Sequence, residues 1–164
     1  MRLESLRDLF VEELKGLYTA EKQLIRALPR MAKAAASDEL RMAMQEHLEE
    51  TEQQIDRLKT IFKELEASPR GNKGKSMKGL IDESMEAIDI EAEPCLKDAA
   101  LIATAQRVEH HEMAGYGTVR KYAHLLGLDE AANLLQETLD EEAAADQRLG
   151  EIAQSINEAA HAQA

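Results

Sequence analysis

Apolar residues return at intervals of three and four positions along most of this chain, which is the spacing of one buried face of an α-helix. The pattern predicts four long amphipathic helices, which cover residues 3–34, 38–66, 95–126 and 129–160. A shorter stretch of the same pattern predicts an extra helix at about 78–91. Ala, Leu, Glu, Lys, Arg and Gln dominate the composition and only three prolines occur, so an all-α protein is expected.

The lengths of the connections predict how these helices are arranged. Short turns join the first helix to the second and the third to the fourth, so each pair forms an antiparallel hairpin. A long crossover, residues 67–94, begins with the glycine-rich stretch SPRGNKGKSMKG and contains the short helix. Two hairpins joined by one long crossover are typical of a ferritin-like four-helix bundle, here expected as one domain over residues 1–164.

Charge and composition narrow the possible partners and the compartment. The formal net charge of −12 argues against binding to nucleic acid or to an anionic membrane surface. No apolar run approaches the ~20 residues that a membrane-spanning helix needs. The single cysteine, Cys95, has no partner for an internal disulfide, so a reducing cytoplasmic location is predicted.

Acidic residues interrupt the apolar faces that should point into the bundle. Continuing the helical period places six carboxylates on or beside these inner faces: Glu21, Glu50, Glu109, Glu112, Glu142 and Asp146. Two residues of an antiparallel hairpin lie at the same height when they are equally far from its turn. By this test the predicted level pairs are Glu21 with Glu50, Glu112 with Glu142, and Glu109 with Asp146.

Carboxylates gathered inside a bundle need a source of positive charge. Unpaired buried carboxylates repel one another unless they are protonated or neutralised. Two metal ions would neutralise them, and oxygen ligands suit iron, which we consider first, and manganese. The six acidic residues are the predicted ligands, because inward acids on four helices are the arrangement of dinuclear carboxylate centres. The alternative is a metal-free helical homodimer with a structural or protective scaffold role.

Several other polar residues fall near the predicted site. His47 and Gln54 lie on the inner face of the second helix, and His110 lies beside Glu109 on the third. Tyr18 and Tyr116 should approach the acids of the first and third helices. We interpret these five residues as an outer shell or as possible further ligands, and His47 as a packed or outer-shell residue rather than a ligand.

Four segments resemble one known family. The segments LYTAEKQLIRALPRMAKAA, HLEETEQQIDRL, DAALIATAQRVEHHEMAGYGTV and LLQETLDEEAAADQRL are similar to the YciE/YciF family of bacterial stress-associated, ferritin-like proteins. The resemblance follows the order of the four long helices over nearly the whole chain. It implies a ferritin-like bundle with an extra short helix, a homodimer and a dinuclear metal site. Our first hypothesis is that such a metal site acts on peroxide, dioxygen or free iron during stress.

One departure from the common di-iron pattern concerns the nitrogen ligands. Di-iron bundles usually carry Glu-x-x-His on the second and fourth helices. Here the corresponding positions hold Gln54 or Glu52, and Asp146. A site built almost wholly from oxygen ligands is therefore expected, which binds iron less selectively and also suits manganese, magnesium or calcium.

Overall fold

Helices account for all the regular structure of residues 3–162, the part of the chain that the computed structural model describes. These are α1 (Leu6–Ala34), α2 (Asp38–Glu64), α3 (Lys75–Asp89), α4 (Pro94–Leu125) and α5 (Asp129–His161). The all-α prediction, including the short helix of the crossover, is confirmed. The starts of α1 and α3 differ most from the predicted 3 and 78, by three residues each. Within this part of the chain, no helix has the length and apolar character needed to cross a membrane.

The four long helices form a bundle in which α1 and α5 occupy opposite corners. Each of these two helices packs against both α2 and α4. Contacts between Gln54 and Glu141 and between Glu46 and Arg148 show that α2 and α5 run antiparallel. The short helix α3 packs on α1 and α4, at the outside of the bundle. This arrangement of two hairpins joined by a long crossover confirms the predicted ferritin-like bundle.

A glycine allows the crossover to lie closely against α1. Gly74 precedes α3 and has a φ of +55°, a left-handed conformation that glycine adopts without strain. A Cβ at this position would come within 2.8 Å of side-chain atoms of Thr19 and Gln23 on α1. Thr19 also donates a hydrogen bond from Oγ1 to the carbonyl oxygen of Asn72, at 3.2 Å. The crossover is therefore held against the bundle before α3 begins.

The apolar core is divided into two halves along the bundle. One half surrounds Phe10, Leu58 and Val119, and the other surrounds Met31, Leu40 and Leu101. A smaller group on the α3 side, which includes Leu24, Met77 and Val108, lies between them. The inward positions between the two halves are occupied by buried polar residues, so the centre of the bundle is available for a site.

An aspartate ties the start of α4 to the turn between α1 and α2. The carboxylate of Asp98 accepts hydrogen bonds from the backbone N–H groups of Ala36 at 2.8 Å and Ser37 at 2.7 Å. Ser37 is the N-cap of α2, and its Oγ accepts a hydrogen bond from the N–H of Leu40. Asp98 is buried, so these bonds are shielded from water. They fix the end of the crossover relative to the first hairpin.

We expect Asp98→Ala to lower the free energy of unfolding by about 2–3 kcal/mol, because the N–H groups of Ala36 and Ser37 at the start of α2 lose a charged acceptor. Urea unfolding followed by circular dichroism measures this change. Asp56→Ala, at an exposed position on α2, is the control and should change the stability by less than about 0.5 kcal/mol. Equal effects of the two substitutions would contradict the role assigned to Asp98.

Candidate metal centre

Four side chains from three helices converge at the centre of the bundle. His47 of α2, Glu109 and Glu112 of α4, and Glu142 of α5 each offer one ligand atom, and these atoms all lie within 4.8 Å of one another. All four residues are buried, with 5% or less of their surface exposed. The spacing of three residues between Glu109 and Glu112 places both on the inner face of α4. We call these four residues the central cluster.

Glu21 of α1 extends the central cluster. It is fully buried, and the hydroxyl of Tyr116 on α4 donates a hydrogen bond to its Oε1. Tyr116 lies four residues after Glu112, one helical turn further along the same face. Glu21 is also close enough to Glu112 for its charge to raise the pKa of that residue, after the larger effect of burial. Each of the four long helices therefore contributes a side chain to this region.

Most carboxylate oxygen atoms of Glu21 and of the three glutamates in the central cluster have no hydrogen-bond partner. Both carboxylate oxygens of Glu112 and of Glu142 are buried and unpartnered, as are one oxygen of Glu109 and one of Glu21. In residues 3–162, no lysine or arginine forms an ion pair with any of these four glutamates. Buried polar atoms are normally satisfied, so an unpartnered group of this size requires an explanation.

Burial makes these carboxyl groups hard to ionise without a counter-charge. It raises the pKa of Glu109 to about 8 and that of Glu21 to about 7, although the hydrogen bond from Tyr116 opposes the shift at Glu21. Burial also raises the pKa values of Glu112 and Glu142 well above the ordinary range of a carboxyl group. Mutual repulsion between the glutamates adds to these two shifts. Metal ions would offset both the cost of burying the carboxylates and their mutual repulsion by supplying positive charge.

His47, predicted mainly as a packed or outer-shell residue and otherwise as a possible ligand, places a nitrogen donor in the central cluster. Its Nε2 lies 3.4 Å from Glu109 Oε1 and 3.9 Å from Glu142 Oε2, and neither ring nitrogen has a hydrogen-bond partner. Burial lowers the pKa of His47, but Glu50 and the charges of Glu142 and Glu21 outweigh burial and leave the pKa raised. The donor set therefore combines carboxylates with one imidazole, not oxygen atoms almost alone.

Glu50 and Asp146 are placed outside the central cluster. Glu50 is 40% exposed and reaches no closer than 3.6 Å to His47 Nδ1, because it lies at the edge of the inner face of α2. Asp146 lies one turn beyond Glu142, where its carboxylate accepts a hydrogen bond from Gln106 and approaches His110 Nε2 at 3.1 Å. Gln106 and His110 flank Glu109 along α4, so Asp146 lies near the predicted height of Glu109 but outside the central cluster.

The other residues predicted as an outer shell or as possible ligands differ in their contacts with the central cluster. Gln54 is fully buried and donates from Nε2 to Glu141 Oε2 at 3.1 Å, while its carbonyl oxygen has no partner. The side chain of His110 is 67% exposed and contacts Asp146. The rings of Tyr18 and Phe62 pack edge to face, and Lys22 Nζ lies over the Tyr18 ring. Tyr18 therefore packs at the edge of the apolar core and not at the central cluster. Of the two predicted tyrosines, Tyr116 alone contacts an acid of the central region among the described residues.

Sequence reasoning did not identify the network that flanks Gln54. Arg57 of α2 forms a two-point ion pair with Glu141 of α5, with N–O distances of 2.6 and 2.7 Å. Glu141 in turn accepts from Gln54, so a chain of polar contacts runs from the surface to the buried amide. The sequence signal for this network is the pair of adjacent glutamates at 141 and 142, of which one faces inward and the other sideways.

The residues present fit a transition-metal site. Carboxylates and one imidazole form the donor set, which suits iron, manganese and zinc. Unpartnered buried oxygens are available for coordination, and the spacing of the central cluster is short enough for one ion to be shared. A second ion would need additional ligands, and Glu21 provides a further carboxylate beside Glu112.

The fold and this central group together define a class. An all-α bundle of two hairpins with a long crossover, in which three long helices contribute buried carboxylates and the fourth a buried histidine, is a ferritin-like bundle. Residues 5–162 match the model of the family described as Domain of unknown function (DUF892). The chain therefore belongs to this family.

Relatives and solved structures support this assignment. The chain is 43% identical to protein YciF of Escherichia coli (strain K12) over 154 residues, which are 93% of each protein. The crystal structure of the E. coli stress protein YciF superposes with a TM-score of 0.92 at 41% identity and covers 95% of this chain and 99% of that one. YcfI from Rhodopseudomonas palustris has a TM-score of 0.86 at 40% identity, covering 90% and 94%.

A more distant structure shares the fold alone. A two-domain protein from Anabaena variabilis contains DJ-1/ThiJ/PfpI-like and ferritin-like domains. It superposes with a TM-score of 0.62 at 15% identity, and the alignment covers 95% of this chain and 39% of that one. The resemblance to a family of ferritin-like stress proteins that the sequence indicated is thus confirmed.

Metal-free protein should be less stable at about pH 8 than at about pH 5, by several kcal/mol. The raised pKa values mean that the folded state binds more protons than the unfolded state from the ordinary 4.5 up to about 8. The free energy of unfolding therefore falls as the pH rises through this window, and His47, whose pKa is also raised, acts in the same direction. Urea unfolding after exhaustive treatment with a chelator measures the effect.

Two variants test which groups cause this dependence. Glu109→Gln removes one buried titrating group and should flatten the pH profile, whereas Glu49→Gln, on the exposed face of α2, should leave it unchanged. A metal-free protein that is equally stable at both pH values, or more stable at the higher one, would contradict the assignment of these shifts to the central cluster.

Proposed function

We propose that this protein is a metal-dependent stress protein whose central cluster holds two metal ions, with iron as the first candidate and manganese as the second. The reaction proposed is one on peroxide, dioxygen or free iron. One observation carries the proposal: His47, Glu109, Glu112 and Glu142 place ligand atoms within 4.8 Å of one another in a buried region where most carboxylate oxygens lack a partner.

A purely structural polar network explains this arrangement less well. In such a network the buried carboxylates would be expected to accept hydrogen bonds or to pair with cations, as Asp98 and Glu141 do elsewhere in this fold. Glu112, in contrast, is fully buried with both oxygens unpartnered. Metal ions satisfy such oxygens and offset their mutual repulsion, so coordination accounts for a set of residues that hydrogen bonding leaves unexplained.

The proposed roles follow from position. His47, Glu109, Glu112 and Glu142 would be ligands, with Glu21 as a further ligand beside Glu112. Tyr116 would orient Glu21 through its hydrogen bond, and Gln54 would present its unpartnered carbonyl oxygen at the edge of the site. When bound, a pair of iron or manganese ions supplies redox chemistry toward peroxide and dioxygen. Burial by the two apolar halves of the core excludes bulk water from these side chains.

Freshly purified protein should contain about two transition-metal ions per chain, measured by plasma mass spectrometry. Glu109→Gln and Glu21→Gln should lower this content, because each removes an anionic ligand while keeping the size of the side chain. Glu49→Gln is the matched control and should keep the full content. Wild-type protein that lacks metal and takes up neither added iron nor added manganese would contradict the proposal and favour the metal-free scaffold.

Reactivity is tested separately from metal content. Ferrous ions added without oxygen, followed by dioxygen or hydrogen peroxide, should give an absorption change that is faster with wild-type protein than with Glu109→Gln. Oxidation of the ferrous ions at the same rate in both proteins and in buffer would be consistent with metal binding but would contradict a role of the protein in this chemistry.

The homodimer and the cytoplasmic location stay predictions. Ile90 and Leu96, near the junction of α3 and α4, are large apolar residues that are 41% and 45% exposed in the single chain, which is compatible with a partner surface. Light scattering after size-exclusion chromatography measures the number of chains in the assembly.

A further inference from the structure

A pocket of about 170 Å³ leads from the surface between α2 and α5 to the central cluster. Its side walls are mostly apolar and consist of small or flexible residues. The residues that form these walls are Leu28 of α1, Ala43 and Met44 of α2, Ala105 of α4, and Ala144, Ala145 and Leu149 of α5. Small side chains on two neighbouring helices keep the helix–helix groove open at this height. The pocket is therefore a route by which a molecule can reach the buried site.

The inner end of the pocket is polar. His47 and Glu109 line it, and both are buried to 95% or more, with exposed fractions of 5% and 2%. Both ring nitrogens of His47 and Oε2 of Glu109 have no hydrogen-bond partner. A molecule seated in the pocket would thus find apolar walls along its body and unsatisfied hydrogen-bonding groups at its deep end.

The charges around the pocket disfavour an anion. Glu46, Glu50 and Glu109 all line it. Arg148 is the one lysine or arginine among the described lining residues, and its guanidinium already pairs with Glu46 at the mouth. A carboxylate or phosphate would meet Glu50 and Glu109. The remaining group of the lining that can carry a positive charge, His47, already faces three glutamates at 3.4–3.9 Å, so a neutral molecule suits the pocket better.

The pocket is larger than hydrogen peroxide or dioxygen needs, so these molecules can pass through it but do not fill it. A molecule of the size of water takes up about 30 Å³, whereas a buried apolar cavity of about 150 Å³ holds benzene. Hydrogen peroxide or dioxygen would leave most of the 170 Å³ pocket unfilled. A six-carbon body with a short substituent matches this space.

We propose that the pocket binds a small neutral organic molecule with an apolar body and a terminal hydroxyl or hydroperoxide group, which reaches His47 and Glu109. The proposal rests on the proposed function, because it names the class of substrate that the central cluster would act upon. The O–H group donates to Glu109, and the apolar body lies against Met44, Leu149 and the alanines.

Met44 provides a reporter for the test. Its side chain lines the pocket, whereas Met77, which is equally buried, packs between α1, α3 and α4 away from it. Labelling the methionine methyl groups with carbon-13 gives one resonance for each, and Met44→Leu identifies the resonance of Met44. The full-length protein is titrated after removal of metal by a chelator, so that the outcome does not depend on metal binding.

Three probes of similar size distinguish the contributions of the apolar body, the hydroxyl group and the charge to binding. Benzyl alcohol should shift the Met44 resonance in a saturable way and leave that of Met77 unchanged. Toluene, which lacks the hydroxyl, should bind at least about threefold more weakly, and benzoate, which is anionic, at least about tenfold more weakly. Equal binding of all three probes would show a non-specific apolar crevice and overturn the proposal.

A pair of substitutions on α5 locates the binding. Ala144→Leu narrows the mouth and should weaken the binding of benzyl alcohol at least tenfold, while Ala143→Leu, at the adjacent exposed position that does not line the pocket, should change it less than twofold. Unchanged binding in Ala144→Leu would overturn the proposal. So would a Met44 resonance that moves with added manganese but not with benzyl alcohol, because the pocket would then admit ions. Protein that binds the alcohol but no metal would refute the proposed function while leaving the pocket assignment intact.

Discussion

Burial of like charges at the centre of the bundle is the constraint on which the rest of this structure depends. Glu21, Glu109, Glu112 and Glu142 come from three helices and meet where water is excluded. Their repulsion and desolvation oppose folding, so the apolar layers above and below must be well packed and a counter-charge must be supplied. A bound proton or, as proposed, a metal ion would supply that counter-charge, and the raised pKa values of Glu21 and Glu109 indicate that one is needed.

The sequence predicted the bundle well because long helices with short turns leave few alternatives. Apolar periodicity identified each helix, and the one long connection identified the crossover. The start of α3 was placed three residues late, because Met77, which is buried in the first turn of the helix, lies within the glycine-rich stretch that was assigned to the loop. Asp98 was not recognised because its partners, the N–H groups at the α1–α2 turn, belong to a distant part of the chain.

The candidate site was predicted in part, and the differences have a geometric cause. Helical periodicity gives the direction in which a side chain points, and it identified Glu21, Glu109, Glu112 and Glu142 as inward. It does not resolve whether a residue at the edge of the inner face turns into the centre or to the side. Asp146 turns to the side, where it contacts Gln106 and His110 near the predicted height of Glu109. For His47, the distinction between packing and coordination depends on its distances to other helices, which the sequence does not contain.

The central side chains all arise from the middle of long helices, not from loops. Inserting one residue into such a helix turns everything beyond it by about 100°, which would separate Glu109 from Glu112 or Glu112 from Tyr116. An extra residue in the glycine-containing stretch before α3 would be absorbed locally, because no central side chain originates there. Length variation tolerated in evolution should therefore be concentrated in the crossover, while the four long helices keep a constant length.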